Sequence, residues 1–256
     1  MATTFGTSAR SKVTPHRDAQ MAFRMAVAMT VVIVAGFSLN LAMGRSSFAV
    51  PIAYHVHAVL FFVWTALFLT QTRFAASGKL TQHRRLGRIA ALLLPFMVLM
   101  GVVIMVTSLR RTGGPFFFAQ NEFFWGNLLL LFCFAGLVAT AIRHRRQTDW
   151  HCRFVLTGMA ILTGPGFGRI LPMPLFIPWA WQIGLLVSLV FPLAGMVIDK
   201  RRDGAVHPAW LLATGVVLAV HVIAMVIAYT PMGIAATQAV VAGTPGAARP
   251  MAAFLP

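Results

Sequence analysis

Eight histidines and 21 Lys+Arg stand against five Asp+Glu in this 256-residue chain. Imidazole ligates metals and exchanges protons near neutral pH, so the histidines are where chemistry would start. Sequence context divides them. His55, His57 and His221 lie at or within long apolar runs, whereas His16, His83, His144, His151 and His207 lie among the basic residues between such runs. An ionisable side chain inside an apolar run is rare and normally faces the interior of a helix bundle, which singles out His57 and His221.

Helical spacing separates His57 from His55. His57, Trp64 and Gln71 recur at seven-residue steps and so share one helix face, which is predicted to point inward. His55, two positions away, falls on nearly the opposite side and is predicted to be an interfacial polar residue. At ~1.5 Å per residue, His57 lies ~8 Å and His221 ~12 Å below the outer ends of their runs. The two rings could hold one ligand if their helices are neighbours. Two neutral imidazoles from facing helices are a common way to hold a b-type haem. His57 and His221 are therefore the candidate axial ligands to haem iron on the outer side, with His83 and His151 as candidates on the inner side. Arg169, with Arg110 and Arg111, stands near the outer ends of its run, where it would meet the propionates. "GPGFGR", Gly164–Arg169, places a proline between glycines. It is predicted to kink or unwind its helix, either as a packing kink or as bare backbone against which a flat macrocycle or an anionic group lies.

On the inner side, His83 follows Thr81, His151 follows Asp149 and His207 precedes Pro208. Thr81 and Asp149 read as N-caps and Pro208 as a first helical residue. These histidines are either polar groups at headgroup level or ligands for a metal, a haem or an anionic headgroup. Glu122, at an outer helix start, either forms a proton path with Asn127 or pairs with an outer arginine or water. No CxxC, HExxH, phosphate loop or Ser/His/Asp grouping stands out, and two cysteines make no disulfide framework.

The elements that must position these residues follow from composition. Hydrophobic residues make up 59% and charged residues 10%, which excludes an ordinary soluble domain and predicts an all-α integral membrane protein. Seven spans are expected: Ala22–Met43, Ile52–Phe74, Leu86–Leu109, Glu122–Ile142, Arg153–Leu171, Trp179–Ile198 and Ala209–Tyr229. Residues 1–21 read as a basic cytoplasmic tail, 22–229 as the transmembrane domain, and 230–256, rich in Ala, Gly and Pro, as a disordered tail. The basic residues alternate between loops, 16 on one side and 5 on the other. That puts the N-terminus in the cytoplasm and the C-terminus in the periplasm. Trp125, Trp150, Trp179, Trp181 and Trp210 fall near span ends, as an interfacial belt would. A net charge of +16, spread over short loops, implies anionic lipid headgroups rather than nucleic acid as the partner.

The strings "HVHAVLFFVWTALFLTQ…HRRLGR" and "DWHCRFVLTGMAIL…GRILP" resemble an uncharacterised family of bacterial multi-pass inner-membrane proteins. The matching positions are His57, Trp64, Gln71, His83, Arg84, Gly87, His151, Arg153 and Arg169, with Cys152 standing where that family usually carries lysine. The resemblance implies a bacterial inner membrane and no particular activity. The layout is also similar to membrane b-type cytochromes, with histidines on helices near both faces. The expectation is a haem-b-binding membrane redox protein with a quinone or a membrane redox partner. The alternatives are a small-molecule or ion transporter and a non-catalytic assembly subunit.

Overall fold

The computed structural model describes residues 15–255. Residues 1–14, most of the expected basic tail, lie outside the described residues. The described chain is helical, with no strand, as its apolar runs require. A backbone that meets lipid must bond within its own segment.

The helices are α1 Pro15–Ala42, α2 Ile52–Ala76, α3 Leu80–Thr112, α4 Gln120–Arg143, α5 Thr148–Ile170, α6 Ala180–Ser188, α7 Val190–Asp203, α8 Pro208–Tyr229 and α9 Pro231–Val241. Two single 3₁₀ turns, Met173–Phe176 and Pro245–Ala248, complete the set. Six stretches are long and apolar enough to cross a membrane: Arg17–Ala42, α2, α3, α4, the nearly continuous Ala180–Asp203, and α8. The break at Leu189 between α6 and α7 lies just before Pro192, which has no N–H to return to the preceding turn.

Helix α5, 23 residues long, falls outside that apolar set. Its surroundings explain why. It packs against α1, α4, α6, α7 and α8, so most of its surface meets protein rather than lipid. Arg153, Thr157, Ala160 and Thr163 on it are completely buried. Helices α1 to α5 also form a ring, with α1 against α2, α2 against α3, α3 against α4, and α5 against both α4 and α1. The ring is filled at mid-height by Met29, Trp64, Met97, Phe134 and Met159. Trp64 donates its indole N–H to the Met159 sulfur at 3.1 Å and packs edge-on against Phe134, with ring centroids 5.5 Å apart.

Several expectations are corrected. The segment after Thr230 is ordered. Thr230 caps α9 through its hydroxyl, which accepts from the Gly233 N–H at 3.0 Å, and Pro231 takes the first helical position. Beyond α9, the Arg249 guanidinium donates to the backbone carbonyls of Gly113, Gly114, Phe116 and Phe118. The Gln120 side chain reaches the Gly246 carbonyl at 3.0 Å. These bonds fasten the C-terminal segment over the α3–α4 loop, and burial holds the Arg249 pKa below its ordinary value. Thr81 and Asp149 are not N-caps, because α3 starts after Lys79 and α5 after Gln147. Trp210 is no belt residue. It is fully buried, and its indole donates to Asp199 at 3.0 Å.

Candidate functional site

The stripe on α2 points into the ring as its spacing predicts. Trp64 is 4% exposed and marks the middle of the bundle. His57 lies nearly two turns towards one end, and Gln71 as far towards the other. His55 bonds outside the bundle, to the Phe48 carbonyl at 3.2 Å.

At the Gln71 end of the bundle, the inner end of the expected orientation, two of the sequence-selected histidines meet. His83 near the start of α3 and His151 near the start of α5 stand with ring centroids 6.2 Å apart and planes at 89°. Each is fixed by a backbone carbonyl on a further helix. His83 Nδ1 bonds the Gln71 carbonyl of α2 at 3.1 Å, and His151 Nδ1 bonds the Ala141 carbonyl of α4 at 2.7 Å. A carbonyl only accepts, so in the neutral form of both rings Nδ1 carries the hydrogen and Nε2 presents its lone pair. Neither Nε2 makes a hydrogen bond among the described residues. Gln71 Oε1 is also buried without a partner, and the Gln71 amide nitrogen lies over Gly87, one turn beyond His83. His207, the third inner histidine, is committed elsewhere. Its Nδ1 caps α8 by accepting from the Ala209 N–H, and its Nε2 bonds Asp149 at 3.1 Å.

The outer pair does not form. His57 belongs to α2, which packs on α1 and α3, whereas His221 belongs to α8, which packs on α4, α5, α7 and α9. The two rings are therefore carried by helices that do not pack closely on each other. Within the Gly-rich stretch Gly166 is covered, whereas a Cβ on Gly168 would meet nothing within 4 Å. Helix α5 continues through Pro165 to Ile170, and Gly166 lies directly on α1. A Cβ on Gly36 would overlap the Gly166 backbone, and one on Gly166 would approach the Val32 carbonyl to 2.9 Å. Gly36 and Gly166 admit a neighbouring helix, as small residues do in membrane bundles.

Arg169 comes from the outer end of α5 to the side of the ring where His57 lies. Its guanidinium sits 3.9 Å over the Phe37 ring of α1 and donates to the Pro165 carbonyl at 2.7 Å. Glu122 does not join Asn127 in a proton path. Asn127 bonds the Phe123 carbonyl at 2.7 Å, and Glu122, 3% exposed, accepts from Tyr229 at 2.9 Å and Gln182 at 3.1 Å.

One constellation escaped sequence reading. Arg153 is completely buried and bonds both oxygens of Asp199 at 2.9 Å, with Asp18 at 3.0 and 3.3 Å. Arg202 joins Asp18 at 2.8 Å and Asp203 at 2.7 Å. The network ties α1, α5 and α7 together, and Trp210 adds α8. The available signal was the scarcity of acids: five in a chain this basic must each have a partner. Groups of three or more His, Cys, Asp or Glu placed to hold a metal ion are absent among the described residues. Comparison with protein-family models, with curated proteins and with solved structures finds no match.

Proposed function

We propose that the chain is a seven-span protein of a bacterial inner membrane, N-terminus in the cytoplasm and C-terminus in the periplasm, that holds a b-type haem between His83 and His151 and passes electrons to a quinone or a membrane redox partner. The seventh span of this reading is α5, whose length suits a bilayer and whose polar groups are shielded by its neighbours. The orientation rests on the alternation of basic residues along the sequence.

The carrying observation is the inner histidine pair. Metal-bound histidines usually donate the other ring nitrogen to a carbonyl or carboxylate, which fixes tautomer and orientation. His83 and His151 are both fixed in that way, with their lone pairs left unbonded. Helices α3 and α5 each pack on α4 and not closely on each other. His57 and His221 do not fit the role and are left out of it. When bound, haem supplies one-electron chemistry, with a potential tuned by its axial ligands and their hydrogen bonds. The protein's part is to hold each ring by its carbonyl, on α2 for His83 and on α4 for His151. Both carbonyls favour the Nδ1-protonated tautomer and raise the basicity of Nε2.

The test is a visible spectrum of the full chain purified after expression with ample haem. A Soret band and a pyridine haemochrome at one haem per chain are expected, lost in His83→Ala and His151→Ala and kept in His57→Ala and His221→Ala. A wild-type chain without a chromophore overturns the reading, as does loss of haem only with the outer histidines.

A further inference from the structure

Every acidic side chain in the molecule is already engaged. The chain holds five acids. Asp18, Asp199 and Asp203 serve Arg153 and Arg202. Asp149 accepts from His207, and Glu122 from Tyr229 and Gln182. None remains for Arg169.

That would matter little for an arginine waving in water, but Arg169 is half-buried. Its Nε is shut off from solvent and has no hydrogen-bond partner. One terminal nitrogen bonds the Pro165 carbonyl, the plane lies on Phe37, and Phe37 is braced edge-on by Phe62 of α2 at 5.5 Å. His57 comes from the same helix as Phe62, five residues before it. Its Nδ1 is likewise buried and unbonded, with the ring against Phe61 at 4.1 Å. Three helices thus bring together a guanidinium with an unused N–H, an imidazole with an unused nitrogen, and apolar walls of Phe37 and Phe61. A buried donor without an acceptor is destabilising, and a buried cation without a counter-charge more so. The same groups are the standard recognition set for an oxyanion, since the guanidinium fork matches carboxylate and phosphate geometry.

We propose that Arg169 and His57 form a binding site for a single oxyanion, a phosphate or a carboxylate, carried by an anionic lipid headgroup or by a small anion that enters from the same face. The site uses neither His83 nor His151 and stands independently of the haem reading.

The experiment reconstitutes the full chain in nanodiscs of phosphatidylcholine alone and of phosphatidylcholine with phosphatidylglycerol. Thermal unfolding is followed, and retained lipid is counted by native mass spectrometry. Inorganic phosphate and benzoate are added to the neutral nanodiscs as a separate arm. If a lipid supplies the anion, phosphatidylglycerol raises the wild-type midpoint by several degrees and one such lipid is retained per chain. Retention weakens roughly tenfold or more in Arg169→Gln and His57→Phe, less in Arg169→Lys, and not in Arg84→Gln at the opposite end. If a small anion supplies it, phosphate or benzoate gives the shift in neutral nanodiscs with the same dependence on Arg169. An equal response of wild type, Arg169→Gln and Arg169→Lys in every arm overturns the proposal, because the remaining basic residues would then account for all anion binding. Arg169→Lys keeps the charge, so it serves as the folded comparison if Arg169→Gln is poorly produced.

Discussion

Arg153 and Arg169 stand near the two ends of one helix, and their surroundings are opposite. Arg153 is enclosed by two carboxylates, one bound through two parallel N–H···O bonds, and by the Asp149 carbonyl at 3.0 Å. Arg169 has an aromatic ring, one carbonyl and no acid. Both belong to α5, and both look in the sequence like ordinary basic residues at span ends. The contrast separates two uses of a buried charge. At the inner end the charge is matched inside the chain and fastens four helices. At the outer end the helix is held by close backbone contact between Gly36 and Gly166, and the charge is left for something else to match.

Removing the matched charge should do the most damage. Arg153→Met leaves Asp18 and Asp199 buried with only the partly exposed Arg202 to share, at 2.8 and 3.3 Å, and breaking a buried pair from one side costs about 3–5 kcal/mol. The expected result is a sharply lowered unfolding midpoint in mild detergent and poor recovery of the monodisperse protein. Adding Asp18→Asn and Asp199→Asn to Arg153→Met should recover part of that loss, since replacing a whole buried ionic cluster is far less costly than halving it. If Arg153→Met unfolds like the wild type, the inner cluster is not what fastens these helices.

The second test moves to the other end of α5. Gly36→Ala puts a methyl group into the Gly166 backbone, which cannot yield as a flexible side chain would, so α1 and α5 must separate. Overpacking of this kind costs about 1–3 kcal/mol. Gly136→Ala on α4, where an added Cβ meets nothing within 4 Å, is the control and should be neutral or slightly stabilising. Equal behaviour of the two variants would remove the backbone contact as the outer fastening.

The sequence made the helices readable because apolar length and alternating basic loops are local properties. It also made the His57–Trp64–Gln71 stripe readable, since periodicity alone defines a helix face. His83 and His151 were legible as inner-end residues, but their meeting depends on which helices become neighbours. The same limit hid the Arg153 cluster, whose acids lie 135 and 46 residues away in the chain. "GPGFGR" was ambiguous for a related reason, because a glycine that admits a helix and one that admits a ligand look alike until the neighbour is placed. Helix α9 is different. Thr230–Pro231 is a local start signal, and the overall Ala/Gly/Pro composition of the tail outweighed it in the expectation of disorder.

The smallest effect is expected where the comparison is sharpest. In neutral detergent without added anion, Arg169→Met should change stability by no more than about 1 kcal/mol, in either direction. The substitution removes an unmatched buried cation and its unused N–H, which favours the variant. It also removes the contact with Phe37 and the bond to the Pro165 carbonyl, which favours the wild type. The lost contacts are each of the order of 1 kcal/mol, so the terms nearly cancel. Arg153→Met measured alongside supplies the scale. A drop for Arg169→Met as large as that for Arg153→Met would mean that a partner inside the chain matches the outer arginine after all. A near-neutral result that turns into a clear deficit once the matching anion is added would tie the outer charge to its ligand rather than to the fold.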